Sequence, residues 1–101
     1  MGTDPSFFAE LVDDFLAEAP AQLETARRAL SSGDPAALCR AVHTLKGQSR
    51  MFGAHDLAVR CQEIESAAGA GDLDALLEQL GGLVLAWDRV RLELLVVRSE
   101  T

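Results

Sequence analysis

Basic residues are scarce in this chain: nine lysines and arginines face sixteen acidic residues, which gives a formal net charge of −7. Because nucleic-acid binding requires a basic surface against the phosphates, this balance argues against nucleic acid as a partner. Long apolar runs are also lacking, and none approaches the ~20 residues that cross a bilayer, so no membrane partner is expected. No leading basic-plus-apolar segment is visible either, so we expect no secretion signal and a cytoplasmic location.

Two cysteines, Cys39 and Cys61, are too few for a disulfide framework, which also favours a reduced cytoplasmic setting. β-branched residues are sparse and no stretch alternates apolar with polar residues, so a sheet has no support in the sequence. The length of 101 residues suffices for one modest core. We therefore expect residues 1–101 to form a single helical domain.

Helix start and stop signals divide the chain into four segments. Asp4-Pro5 and Asp34-Pro35 each place a proline directly after a candidate N-cap aspartate, and Asp72 is a third candidate N-cap. Gly53 is a candidate C-cap, and Gly69-Ala70-Gly71 breaks the chain before the last segment. The predicted helices span about 5–31, 35–52, 55–68 and 72–98.

Apolar residues recur at helical spacing in each segment, and short connections favour antiparallel neighbours. The predicted fold is therefore all-α, an antiparallel up-down-up-down four-helix bundle. Pro20 lies inside the first helix and is expected to kink it. In the last helix the predicted core stripe consists of Leu73, Leu76, Leu77, Leu80, Val84, Trp87, Leu94 and Leu95.

The second helix carries the most informative pattern, because His43 is followed by Lys46 and Gly47 at helical spacing. Positions i, i+3 and i+4 share one face of a helix, and Arg50 lies one further turn along. At about 100° per residue, His43 is roughly 140° away from the apolar stripe of its helix. The spacing predicts an exposed imidazole with cations beside it. A lone helical histidine can also be an ordinary surface residue, and this local pattern leaves both interpretations open.

The pattern continues in register beyond the histidine, as His43-Thr44-Leu45-Lys46-Gly47, Phe52-Gly53-Ala54, Leu57, Cys61 and Ile64-Glu65. With these residues the chain resembles the histidine-containing phosphotransfer (HPt) domains of bacterial two-component phosphorelays. The resemblance spans nearly the whole chain, although the flanks agree more loosely. Where many family members have small residues after the glycine, this chain has Gln48-Ser49-Arg50-Met51, which we expect to alter the rim of the docking surface.

The resemblance implies a phosphoryl carrier without an ATP site of its own. His43 would accept a phosphoryl group from a receiver-domain aspartate, or from a kinase, and pass it to another response-regulator receiver. Lys46 would stabilise the phosphorylated ring as a compact positive charge. Gly47 would leave room for a docking receiver, because any side chain there would obstruct it.

Three further residues are predicted to support the site: Arg50, Glu65 and Gln62. Glu65 matches the acidic residue that closes the family pattern, and it would orient the imidazole through its other ring nitrogen. An ordinary surface ion pair is the alternative for Glu65. Arg50 would assist Lys46, and Gln62 would face the site from the third helix.

The expected partners are response-regulator receiver domains and a sensor or hybrid histidine kinase. The sequence has no G-x-x-x-x-G-K-[ST] loop for nucleotide phosphates, so the phosphoryl group should come from a partner. We expect no cofactor on this chain, with Mg²⁺ only on the partner receiver domain.

Two alternatives remain open from the sequence. The first is a bundle that binds receiver domains or self-associates as a scaffold without carrying phosphate. The second is a metal site at Cys39, His43 and His55, although a structural tetrahedral site needs four ligands.

Overall fold

The computed structural model describes residues 5–100. Within that range the chain forms four α-helices and no strand: α1 (Pro5–Ser32), α2 (Pro35–Met51), α3 (His55–Ala70) and α4 (Leu73–Ser99). Every boundary lies within two residues of its predicted position. The helix α1 is continuous through Pro20, and a bend there stays a prediction. None of the helices in residues 5–100 is long and apolar enough to cross a membrane.

Aspartates begin two of the helices, as predicted. The Asp34 carboxylate accepts a hydrogen bond from the backbone N–H of Ala37 at 3.1 Å. Asp72 accepts one from the N–H of Ala75, also at 3.1 Å. Each bond satisfies a backbone donor that has no partner inside the helix. The third predicted cap, at Asp4, lies outside the described residues.

A glycine ends each of the first three helices. The turn after α2 shows why: the Gly53 N–H donates to Arg50 O at 3.1 Å and the Ala54 N–H donates to Ser49 O at 2.8 Å. This pair of bonds forms a Schellman motif, which requires a residue with positive φ. Glycine adopts that conformation without a steric cost, and φ lies between 69° and 73° at Gly33, Gly53 and Gly71.

The four helices form a bundle in which helices that are consecutive in the chain contact each other and α4 closes against α1. The bundle measures 47 × 19 × 19 Å. These four helices and their contacts confirm the predicted four-helix bundle. Glu18 of α1 bonds Gln48 near the end of α2, and Asp13 of α1 bonds Arg98 at the end of α4. Such pairs are expected of antiparallel neighbours. Within residues 5–100, α2 and α4 make no backbone contact and lie diagonally opposite each other.

Aromatic contacts in the core join α1, the end of α2 and α4. The Phe15 ring of α1 stacks on Phe52 with centroids 4.8 Å apart, and it meets Trp87 of α4 edge-on at 5.0 Å. Such pairs add to the stabilisation that comes from apolar burial. The other large side chains with almost no exposure include Leu38, Leu45, Leu57, Ile64 and Leu83.

The core face of α4 differs from the predicted stripe. Four predicted residues are buried: Leu76, Leu80, Trp87 and Leu94. The other four are 42% to 57% exposed, and the prediction was wrong for them: Leu73, Leu77, Val84 and Leu95. Leu83 and Ala86 are buried in their place. Because α4 is apolar on most sides, periodicity alone does not fix which side faces the core.

Cys61 is a core residue, and its thiol should resist modification. Its exposure is 0%, and burial, with a smaller contribution from nearby Glu65, raises the pKa of the thiol to about 12. Because the thiolate is the reactive form, we expect a maleimide at neutral pH to label the partly exposed Cys39 and leave Cys61 unlabelled. Intact mass should show one label per native chain and two in denaturant. Two labels on the native protein would contradict this packing.

Candidate functional site

His43 lies on the outer surface of α2. Its side chain is 71% exposed, whereas Leu38, Val42 and Leu45 on the opposite side of the helix are each 1% exposed. The core contacts of these three residues fix the rotation of α2 about its axis. The imidazole is therefore accessible to a large partner, as the helical spacing predicted.

Glu65 of α3 holds one nitrogen of the His43 ring. His43 Nδ1 lies 3.3 Å from Glu65 Oε1, and the Glu65 side chain is 20% exposed. A carboxylate only accepts hydrogen bonds, and a neutral imidazole carries one N–H, so this contact requires the proton on Nδ1. In the neutral ring the lone pair then lies on Nε2.

Lys46 is buried rather than free. Its side chain is 8% exposed, and its Nζ lies 2.9 Å from Glu65 Oε1 and 2.9 Å from Gln62 Oε1. At about 100° per residue, Lys46 is ~60° closer than His43 to the core side of α2, and its side chain reaches α3. The sequence predicted an ammonium free to meet a phosphoryl group. The structure instead pairs that ammonium with the carboxylate that holds the histidine.

The burial of Lys46 gives it a structural role that can be measured. Substituting Lys46→Met keeps the aliphatic stem but leaves the Glu65 carboxylate, which is partly buried, without its cation. Because unpairing a buried charge is costly, we expect a loss of about 2 kcal/mol in the free energy of unfolding. Urea denaturation of Lys46→Met and Arg60→Met measures the difference. The Arg60–Asp56 pair is 39% and 67% exposed, so its loss should cost less than about 1 kcal/mol. Equal losses in the two variants would contradict a structural role for Lys46.

Gly47 leaves an open patch next to His43. A Cβ built at Gly47 meets no heavy atom within 4 Å, so close helix packing does not require glycine there. A glycine inside a helix costs about 1 kcal/mol relative to alanine. The bundle itself gains nothing from this residue, which supports the interpretation that it preserves access to the ring.

Two exposed arginines flank the histidine on α2. Arg50 was predicted from the sequence, and Arg40 was missed because the motif runs forward from His43 and Arg40 precedes it by three residues. The i−3 spacing could have identified it. Among residues 5–100, neither guanidinium has a carboxylate within 4 Å. The helix has three cations and no acidic residue, in a chain of net charge −7.

The segment Gln48-Ser49-Arg50-Met51 was predicted to alter the rim of the docking surface, but only part of it is exposed. Gln48 donates to Glu18 of α1, and Ser49 is 0% exposed and donates to Leu45 O at 2.7 Å. Arg50 and Met51 are the exposed members of the run, and Met51 is 70% exposed. Any change at the rim of the site therefore comes from these two side chains.

Gln62 contacts the site through Lys46, whose ammonium it helps to hold. The metal-site alternative gains no support, because residues 5–100 contain no group of three His, Cys, Asp or Glu side chains that could hold an ion.

A four-helix bundle with an exposed histidine, His43, whose ring faces a carboxylate on the neighbouring helix is the arrangement of a helical phosphotransfer module. A family model, the Hpt domain, matches residues 10–98, and the chain belongs to this family. Searches of curated proteins and of solved structures gave no match. The protein accordingly has a phosphotransfer role in two-component phosphorelays, as a carrier and not as a catalytic enzyme. The family also implies interaction with two-component receiver and kinase proteins.

Proposed function

We propose that this Hpt domain is a phosphorelay intermediate in which His43 is the phosphoryl acceptor. His43 takes the group from a receiver-domain aspartate, or from a kinase, and passes it to another response-regulator receiver. The observation that carries this proposal is the exposed imidazole whose Nδ1 faces Glu65 and whose Nε2 is open to a partner. We thus propose the order of transfer as well: the donor is a receiver or a kinase, and the acceptor after His43 is another receiver.

The transfer step needs no proton to leave the site. The Nε2 lone pair attacks the phosphorus of the aspartyl phosphate, the N–P bond forms, and the P–O bond to the aspartate breaks and releases its carboxylate. The ring keeps its Nδ1 proton and becomes cationic. That charge develops 3.3 Å from Glu65 Oε1, where a carboxylate stabilises it. The reverse sequence returns the phosphoryl group to a second receiver.

Lys46 acts in this proposal as a positioning residue. Its ammonium lies 2.9 Å from the same Glu65 oxygen that faces His43, so it fixes the carboxylate and limits its charge. A carboxylate with less net negative charge stabilises the cationic phosphorylated ring less strongly. The phosphoryl group therefore stays transferable in both directions. Gln62 completes the arrangement from the other side of the ammonium.

Arg40 and Arg50 are the groups that would receive an acidic partner. The aspartate and the metal ligands of a receiver present negative charge around the transferred group. Two exposed guanidinium groups on the His43 surface complement that charge and raise the encounter rate in a salt-dependent manner. Gly47 lies between them and admits the close approach of the partner.

The proposal is tested by incubating the protein with a phosphorylated receiver domain at mildly alkaline pH and measuring its intact mass. We expect a gain of one phosphoryl group that is lost on acidification. No gain with any of several receivers and kinases would favour a bundle that binds receivers without carrying phosphate.

A further inference from the structure

The exposed side of α2 that carries His43 ends in an apolar side chain. His43, Gly47 and Met51 follow one another at intervals of four residues, so at about 100° per residue each lies ~40° further round the helix. Met51 is 70% exposed, the highest value for a large apolar residue within residues 5–100. One exposed methionine alone needs no explanation, but Met51 is also part of a larger apolar surface.

That surface is an open groove at one end of the bundle. The groove lies between the start of α1, the turn after α2 and the C-terminal part of α4, and its volume is about 550 Å³. Of its lining residues in the described chain, Glu93 alone is charged. Phe7 and Val97, which also line it, are 54% and 40% exposed. Met51 therefore joins the His43 side of α2 to an apolar groove.

Met51 lies close enough to His43 for one partner to cover both residues. Met51 follows His43 by eight positions, which is about 12 Å along the axis of a helix. Even a small transient interface covers ~600 Å² of each partner, so a footprint centred on His43 extends about 14 Å in each direction. A protein that sits over the imidazole therefore also covers Met51 and reaches the near end of the groove.

The exposed residue types around His43 are those that are enriched in protein interfaces. Methionine, arginine and aromatic residues are over-represented at the centres of interfaces, whereas lysine and acidic residues are depleted there. Arg40, Arg50 and Met51 are exposed on α2, and Phe7 is exposed in the adjoining groove. An unbranched methionine side chain also adapts to different opposing surfaces. That property suits a carrier that accepts the phosphoryl group from one protein and passes it to another.

We propose that the receiver domains that exchange phosphate with His43 also bury Met51, and that an apolar side chain of the receiver enters the adjoining groove. This inference rests on the proposed function, because the occupant is identified by its need to place an aspartyl phosphate against Nε2. Arg40 and Arg50 receive the acidic pocket of the receiver, and Met51 supplies the apolar contact that this charged region lacks. Met51 thus acts in partner binding and not in the chemistry of the ring.

Transfer from a protein donor and from a small donor, measured on the same variant, tests this assignment. With a phosphorylated receiver domain, Met51→Gln should raise the receiver concentration that gives half the maximal transfer rate about tenfold, the effect of losing one apolar anchor. The maximal rate should not change. Phosphoramidate reaches His43 without docking on α2, so it should phosphorylate Met51→Gln at the wild-type rate. Met51→Leu stays apolar and should keep the wild-type half-saturating concentration.

Leu85→Gln is the matched control, since Leu85 is 62% exposed but lies on α4, which makes no backbone contact with α2 among residues 5–100. It should transfer like the wild type with both donors. An unchanged half-saturating concentration in Met51→Gln, or an equal rise in Leu85→Gln, overturns the inference and leaves the proposed function intact. Slower phosphorylation of Met51→Gln by phosphoramidate also overturns it, because Met51 would then act on the ring itself. If neither donor phosphorylates His43 in the wild type, the proposed function fails and this inference fails with it.

Discussion

Replacing His43 with glutamine should abolish phosphoryl acceptance and leave the bundle folded. The His43 side chain is 71% exposed and contributes to no core contact, so its loss removes little apolar burial. A glutamine at this position can still donate to Glu65 but has no nucleophilic nitrogen. We therefore expect no gain of mass on exposure to a phosphorylated receiver, with an unchanged midpoint of thermal unfolding.

His55→Gln is the control for this experiment, because His55 is the second of two histidines and is also exposed. Its side chain lies at the start of α3 and has no predicted role in the transfer. The variant should accept one phosphoryl group at the wild-type rate. Phosphoryl transfer to His43→Gln, or its loss in His55→Gln, would show that the acceptor has been assigned to the wrong residue.

Gly47→Leu should slow phosphoryl transfer from a receiver by on the order of 100-fold, since a displacement of about 1 Å at a reacting centre can have that effect. The leucine side chain would project from the outer surface of α2 beside His43 and hold the partner away from Nε2. Stability should rise slightly, because leucine has the higher helix propensity and its Cβ meets no neighbour. Rapid-quench transfer kinetics together with urea denaturation separate the two effects.

Gly81→Leu provides the comparison for the glycine experiment. A Cβ at Gly81 also meets no heavy atom within 4 Å, but this residue lies on α4, across the bundle from His43. In dilute solution its transfer rate should equal that of the wild type, with a similar gain in stability. Equal transfer rates in Gly47→Leu and the wild type would remove the argument that Gly47 provides access.

The helix boundaries were predictable because they depend on local chemistry. The N-cap hydrogen bonds of Asp34 and Asp72 reach a backbone N–H three residues further on. The positive φ that ends a helix likewise belongs to a single glycine, at Gly33, Gly53 and Gly71. The exposure of His43 was predictable for a similar reason, since α2 has a clear apolar stripe on one side. These features did not require knowledge of how the helices pack.

The positions of Lys46 and the α4 side chains depend on packing between helices. Lys46 lies at the edge of the exposed side of α2, and only the neighbouring α3 shows that its ammonium turns inward to Glu65 and Gln62. Most sides of α4 are apolar, so several rotations fit the sequence, and the contacts with α1 and α3 select one of them. The pairing of His43 with Glu65, 22 positions apart, likewise requires the register of α2 against α3.

The most direct test of the central claim is phosphorus-31 NMR of the phosphorylated protein with nitrogen-15 in its histidine rings. We predict one phosphorus signal that couples to Nε2 of a single imidazole and disappears in His43→Gln but not in His55→Gln. A phosphorus coupled to Nδ1, a signal that survives His43→Gln, or phosphate on a carboxylate without nitrogen coupling would contradict the account.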